Sequence, residues 1–146
     1  MPKTERMSGE LLYTIDPKGR MSFPPKFREI LGERFILTKG PNNKLVAYSE
    51  ENWERLVEQI AEMDLGREKD ILTQMCVKAA SPVEADKLGR ILVPQALRQF
   101  AGLVKDVYVV GAIDEVEIWD RANYDAFNQS ITPSDFYAAM SGLKLK

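Results

Sequence analysis

One segment of the chain occurs twice. DPKGRMSFPPKFREILG runs from Asp16 to Gly32 and DKLGRILVPQALRQFAG from Asp86 to Gly102, placing Asp16 on Asp86, Gly19 on Gly89, Arg20 on Arg90, Pro24 on Pro94, Arg28 on Arg98 and Gly32 on Gly102. Beyond these blocks the match continues with one extra residue in the second copy, so that ILTKG meets VYVVG and LVAY meets VEIW. A solenoid needs at least three like units to bury a continuous core, so two copies in 146 residues point elsewhere. They imply an internal duplication whose halves pair about an approximate two-fold axis. A unit of roughly 60–70 residues buries a smaller share of its surface than a larger one does, which argues for two halves sharing one core.

Each copy reads as a hairpin, a short helix and a second hairpin. In the first, Leu11, Tyr13 and Ile15 alternate as one face of a half-buried strand, and MSF follows the bend. Asp-Pro-Lys-Gly suits a type I turn with a positive φ at the glycine, a geometry that delivers Arg20 to the next strand at a fixed place. Pro24 and Pro25 suit the opening of a helix, where a missing amide hydrogen costs nothing. Phe27, Ile30 and Leu31 then recur at helical spacing, as do Leu97, Phe100 and Ala101, and Gly32 and Gly102 stand where such helices end. Arg28 and Arg98 fall at the edge of this apolar stripe.

Further along, RFILTK with KLVAYS and DVYVVG with EVEIWD read as strand pairs, turned at Asn42-Asn43 and at Asp114. Ser49 caps a longer helix whose inner stripe is Trp53, Leu56, Val57 and Ile60, and Asp120, Tyr124 and Phe127 mark a shorter counterpart. The connector MDLGREKDILTQMCVKAA holds another helix, with Ile71, Leu72, Met75 and Cys76 expected to face inward. Thr132, Pro133 and Asp135 open a last helix that Gly142 stops. Trp53, Trp119 and the other aromatic residues sit at core spacings. The chain thus divides into a first repeat over 10–52, a helical connector over 53–79, a second repeat over 80–123 and a helical tail over 124–146.

Composition removes much of enzymology. With no histidine, the chain lacks the usual general base, imidazole metal ligand and Ser-His or Cys-His nucleophile pair. Cys76 is the single cysteine, so no internal disulfide forms, and a reducing compartment fits. No apolar run approaches the ~20 residues that cross a bilayer, and MPKTERMSGE has no apolar core of a secretory leader. No catalytic residue, metal or cofactor is expected. The formal net charge of −2 argues weakly against a polyanionic partner, but its distribution matters more. Lys18, Arg20, Lys26 and Arg28 follow Asp16, and Lys87, Arg90 and Arg98 follow Asp86, whereas Glu50, Glu51, Glu54, Glu58, Glu62 and Asp64 crowd the acidic helix around Arg55.

Either D-x-x-G-R taken alone is accounted for by a hairpin turn with an exposed ion pair. A turn asks neither for an arginine after the bulge nor for another eight residues on. The paired D-x-x-G-R…P…R blocks, the tails LVAYSEENW and VEIWDRANY, the connector and the total length resemble the MraZ family of bacterial transcriptional regulators over about residues 8–128. The resemblance implies two tandem half-repeats of the SpoVT/AbrB-like DNA-binding fold. That is an α+β, mainly β architecture: a pseudo-two-fold, swapped-hairpin β-barrel with peripheral helices, assembled into a ring-shaped homo-oligomer. It further implies a cytoplasmic, nucleoid-associated repressor that binds double-stranded DNA at direct repeats in the promoter of the division and cell-wall gene cluster.

By motif match, Arg20 and Arg90 correspond to the arginines that the family aims at DNA, with Lys18 beside the first. Physical reasoning places Lys26, Arg28, Lys87 and Arg98 near phosphates and assigns Asp16, Gly19, Asp86 and Gly89 to orienting the loops. The chain departs from the family pattern at Leu88, where a lysine before the glycine is common, and at Pro17, where a small residue is usual. These changes give the first loop the stronger claim on DNA. An oligomeric interaction hub without DNA binding is the rival reading.

Overall fold

A computed structural model describes residues 5–144, so residues 1–4 of the N-terminal stretch and residues 145–146 of the tail lie outside it. The first half comprises β1 (Glu10–Thr14), β2 (Arg20–Ser22), α1 (Pro25–Leu31), β3 (Arg34–Gly40), β4 (Lys44–Ser49) and α2 (Glu50–Ala61). The connector is α3 (Arg67–Leu72), which runs on into a π-helical turn over Thr73–Val77. β5 (Ser81–Glu84), β6 (Arg90–Leu92), α4 (Gln95–Ala101), β7 (Asp106–Ala112), β8 (Glu115–Asp120) and α5 (Arg121–Ser130) then repeat the first half in order, and α6 (Pro133–Ser141) follows. The repeat boundaries expected at 52/53 and 123/124 cut α2 and α5 within their first turns.

Local chemistry explains the element ends. Pro24 and Pro94 occupy the caps of α1 and α4, where a proline's fixed φ suits helix entry. The Ser49 hydroxyl accepts from the Asn52 amide at 3.1 Å, and the Asp120 carboxylate accepts from the Asn123 amide at 3.0 Å. α6 opens on a complete capping box, Thr132 with Asp135.

All strand pairings are antiparallel. Six strands form an open sheet in the order β1-β7-β8-β4-β3-β5, and β2 pairs with β6 in a separate two-stranded ribbon. The molecule is α+β, mainly β, and among the described residues the sheet's hydrogen bonds run between two free edges, β1 and β5. The hairpins β3–β4 and β7–β8 meet at the β4–β8 junction, and the approximate two-fold axis passes between them. Each half's first strand leaves its own half: β1 lies along β7, with Leu11 opposite Val109, and β5 lies along β3, with Val83 opposite Phe35.

The shared core follows from this crossing. Met21, Phe23, Phe27 and Leu31 of the first half are buried, as are their counterparts Ile91, Val93, Leu97 and Ala101 of the second. The first-half residue is the bulkier one, or equal in size, at each of these positions. All eight belong to one continuous apolar core. The rings of Phe23 and Phe35 lie 4.8 Å apart at its centre. Trp119 is buried in a second cluster, 5.4 Å from Tyr124 and 5.3 Å from Phe127.

Two expectations need correcting. The one-residue insertion is the sum of two changes: the helix-to-strand link is four residues in the second copy against two in the first, and the hairpin turn is two against three. Phe35 and Leu37 therefore correspond to Val107 and Val109, and the aligned ILTKG and VYVVG are one residue out of step; since a one-residue slip would exchange the two faces of the strand, burial decides the register. In the connector, Ile71, Leu72 and Met75 are exposed rather than inward. The π turn changes the helical phase there. The contact is made instead by the Thr38 hydroxyl, which donates to the Cys76 carbonyl at 2.6 Å, and by the half-buried Cys76 thiol, 3.8 Å from the Lys39 carbonyl. Burial raises the pKa of that thiol above its ordinary value of 9.0, which suits a packing role.

Gly111 marks the tightest seam between β7 and the segment leading into β1: a methyl group there would lie 2.5 Å from the Ser8 amide nitrogen and 2.8 Å from the Met7 carbonyl carbon. Both obstacles are backbone. Gly111→Ala is expected to lower stability by about 1–3 kcal/mol, the cost of overpacking a closed site, measured as a reduced urea midpoint in a single transition.

Candidate nucleic-acid interface

The two loops are built alike. In the first, the Gly19 amide donates to the Asp16 carbonyl at 2.9 Å, and the Asp16 amide donates to the Arg20 carbonyl at 2.9 Å. Gly19 has a φ of +93° and Gly89 of +77°, in the region that residues with a Cβ avoid. Asp16 Oδ1 accepts from the Lys18 and Arg20 amides, both at 2.9 Å, while Oδ2 accepts from Arg20 Nε at 3.2 Å. In the second loop Asp86 Oδ1 accepts from the Leu88 and Arg90 amides at 2.9 Å and Oδ2 from Arg90 Nε at 3.1 Å. One carboxylate thus fixes both the bend and the first part of the arginine side chain.

This arrangement leaves the arginines available. Their side chains remain 40% exposed at Arg20 and 38% at Arg90, and among the described residues only Nε of each is hydrogen-bonded. The ribbon's register then fixes what accompanies them. Arg20 stands opposite Leu92, Ser22 opposite Arg90, and Met21 opposite Ile91. Because side chains alternate along a strand, Met21 and Ile91 turn into the core, while Arg20, Ser22, Arg90 and Leu92 share the outward face. Ser22 is exposed, and Leu92 is 57% exposed. These two residues were missed in the sequence, where strands of three residues do not display their alternation.

The remaining basic residues divide into two groups. Lys18, Lys26 and Lys87 are exposed, Lys26 with its ammonium 5.0 Å from the centre of the Phe27 ring. Arg28 and Arg98 are partly buried and turned toward the ribbon, with Arg28 Nε donating to the Phe23 carbonyl at 3.3 Å and Arg98 Nε to the Val93 carbonyl at 2.9 Å. A wide groove lined by Glu29, Glu33, Glu50 and Glu51 lies between the C-terminal end of α1 and the start of α2. Among the described residues no cluster of three or more His, Cys, Asp or Glu side chains can hold a metal.

A family model described as "MraZ protein, putative antitoxin-like" matches the chain twice, over residues 7–76 and 77–144. The chain belongs to the MraZ family. Three relatives named "Transcriptional regulator MraZ" show how far the likeness reaches. The protein of Acetivibrio thermocellus is 45% identical over 122 residues, covering 82% of this chain and 85% of its own. That of Caldicellulosiruptor bescii is 43% identical over 117 residues, covering 80% and 82%. That of Heliobacterium modesticaldum is 42% identical over 127 residues, covering 86% and 89%. The MraZ match divides the chain inside the π turn, which assigns α3 to the first repeat and α6 to the equivalent place in the second.

Amide hydrogen bonds, those from Arg20 and Arg90 first, hold the Asp16 and Asp86 carboxyls below their ordinary value of 3.8. A lowered folded-state value means that the carboxylate's contribution to loop order is complete above 3.8 and is lost as pH falls through the lowered value. The amide resonances of Lys18, Arg20, Leu88 and Arg90 are expected to move together with midpoints below 3.8, and Asp16→Asn should abolish the transition in the first loop alone.

Proposed function

We propose that the chain is a sequence-specific DNA-binding transcriptional regulator that lays the β2–β6 ribbon into the major groove. The observation that carries this reading is the ribbon's outward face, with two half-exposed arginines held by their own aspartates. A two-stranded ribbon fits the major groove, and an arginine there pairs with the O6 and N7 of guanine. Lys18, Lys26 and Lys87 lie near phosphates and supply salt-dependent affinity. Asp16 and Asp86 keep their charge turned into the loop. The relatives' names describe regulation rather than catalysis, and among the described residues no helix is long and apolar enough to cross a membrane. The family resemblance carries the finer reading, a cytoplasmic, nucleoid-associated repressor acting on direct repeats before the division and cell-wall genes. The exchange of first strands between halves supports the swapped-hairpin description of the fold.

Few base contacts per subunit make assembly necessary, because linked subunits on repeated sites gain affinity through effective concentration. The last helix supports such assembly: Phe136 and Tyr137 are 64% and 77% exposed, and Ile131, Met140 and Leu143 extend the apolar surface. A capped helix with this much uncovered apolar area fits a contact between copies of the chain in a ring-shaped homo-oligomer.

Arg20→Ala and Arg90→Ala should each weaken binding to the promoter repeats by about 10- to 100-fold, the worth of one guanine contact, as measured by fluorescence anisotropy. Lys18→Ala should instead weaken binding to all sequences and reduce the salt slope by about one. If Arg20→Ala breaks the oligomer and spares DNA affinity, the interaction-hub reading replaces this one. Phe136→Asp should lower the assembled mass in light scattering after gel filtration, and promoter affinity should fall with it.

A further inference from the structure

Arg28 and Arg98 repeat at the same place in the two halves, and the sequence reading put both near phosphates. Their surroundings point to different work. Val93 is bonded on both sides: its amide donates to the Gly19 carbonyl at 2.8 Å, and its carbonyl accepts Arg98 Nε at 2.9 Å. Arg98 also donates from Nη1 to the Pro17 carbonyl at 3.4 Å. Its guanidinium lies so close over the first loop that a methyl on Gly19 would meet Nε at 2.6 Å and Cζ at 2.8 Å. The mirror arrangement holds in the other half. The Phe23 amide donates to the Gly89 carbonyl at 3.0 Å, the Phe23 carbonyl accepts Arg28 Nε at 3.3 Å, and Arg28 Nη2 lies 3.0 Å from the place of a Gly89 methyl.

We propose that Arg28 and Arg98 are positioning residues, each setting the recognition loop of the opposite half: Arg98 sets Asp16–Arg20, and Arg28 sets Asp86–Arg90. The proposal rests on the DNA-binding reading for its functional consequence but not for its geometry. An arginine suits this place because its planar fork makes bonds in fixed directions to two carbonyls, which a lysine cannot copy. The absence of a side chain at each loop glycine is what admits the fork. The first loop is held more firmly, since Arg98 reaches the Pro17 carbonyl and Arg28 has no equivalent bond among the described residues. Each loop is therefore anchored separately, by the helix of its partner half.

The test uses the full chain with Arg98→Lys and, as its mirror, Arg28→Lys, read by hydrogen exchange and by promoter binding across a salt series. Arg98→Lys is expected to speed exchange at Gly19 and Arg20 by roughly five-fold, the effect of losing about one ordinary hydrogen bond, and to leave Gly89 and Arg90 unchanged. Arg28→Lys should do the reverse, more weakly. Arg98→Lys should also weaken promoter binding without changing the salt slope, because the positive charge is kept. Faster exchange confined to the loop of the substituted half, or equal in both loops, overturns the proposal. So does wild-type promoter affinity in Arg98→Lys when Arg20→Ala has lost it. If Arg20→Ala also binds like wild type, the DNA-binding reading fails, and the exchange pattern alone decides the crossed anchoring.

Discussion

Three residue pairs on two very short strands hold the candidate nucleic-acid surface to the interior. Met21 and Ile91 face inward on the β2–β6 ribbon and are buried, and the residues on either side of them face out. Buried apolar contact on one side therefore determines where the arginines stand on the other. The ribbon also ties the halves together, since Phe23 and Val93 each donate an amide to the opposite loop's glycine carbonyl. Removing either half would remove a neighbour that the remaining loop needs.

Aspartate does comparable work at smaller scale. In each loop a single exposed carboxylate accepts two backbone amides and one guanidinium hydrogen. Such a group gains little from Coulomb attraction in water. Its contribution is directional: it spends the Nε hydrogen of the arginine, which leaves the outer edge of the guanidinium for a partner. An acid beside an arginine proposed to meet DNA looks self-defeating by charge count, but the geometry turns the carboxylate into part of the loop's scaffold.

Much of this was legible in the sequence because it is local. The turns, the proline-led helices, the Ser49, Asp120 and Thr132 caps and the hairpins β3–β4 and β7–β8 all follow from residue chemistry within a few positions. What could not be read was the sum of distant effects. The shift of β7 hid behind two compensating length changes, so a single gap in the alignment looked sufficient. The inward stripe assigned to Ile71, Leu72 and Met75 assumed a regular helix, and the π turn at Thr73–Val77 altered the phase. At the candidate site, the arginines and their aspartates stood out by repetition. Ser22 and Leu92 did not, because a strand of three residues is too short to show its alternation. The turning of Arg28 and Arg98 toward the opposite loops was invisible for a simpler reason: a helical position next to the apolar stripe does not say what lies across the axis.

The unequal halves of the core have one more implication. Phe23 and Phe27 stand where the second half has the smaller Val93 and Leu97, and all four are buried. The ancestral symmetry has thus become a pair of unlike pieces, interlocked by strands that each half lends to the other's sheet.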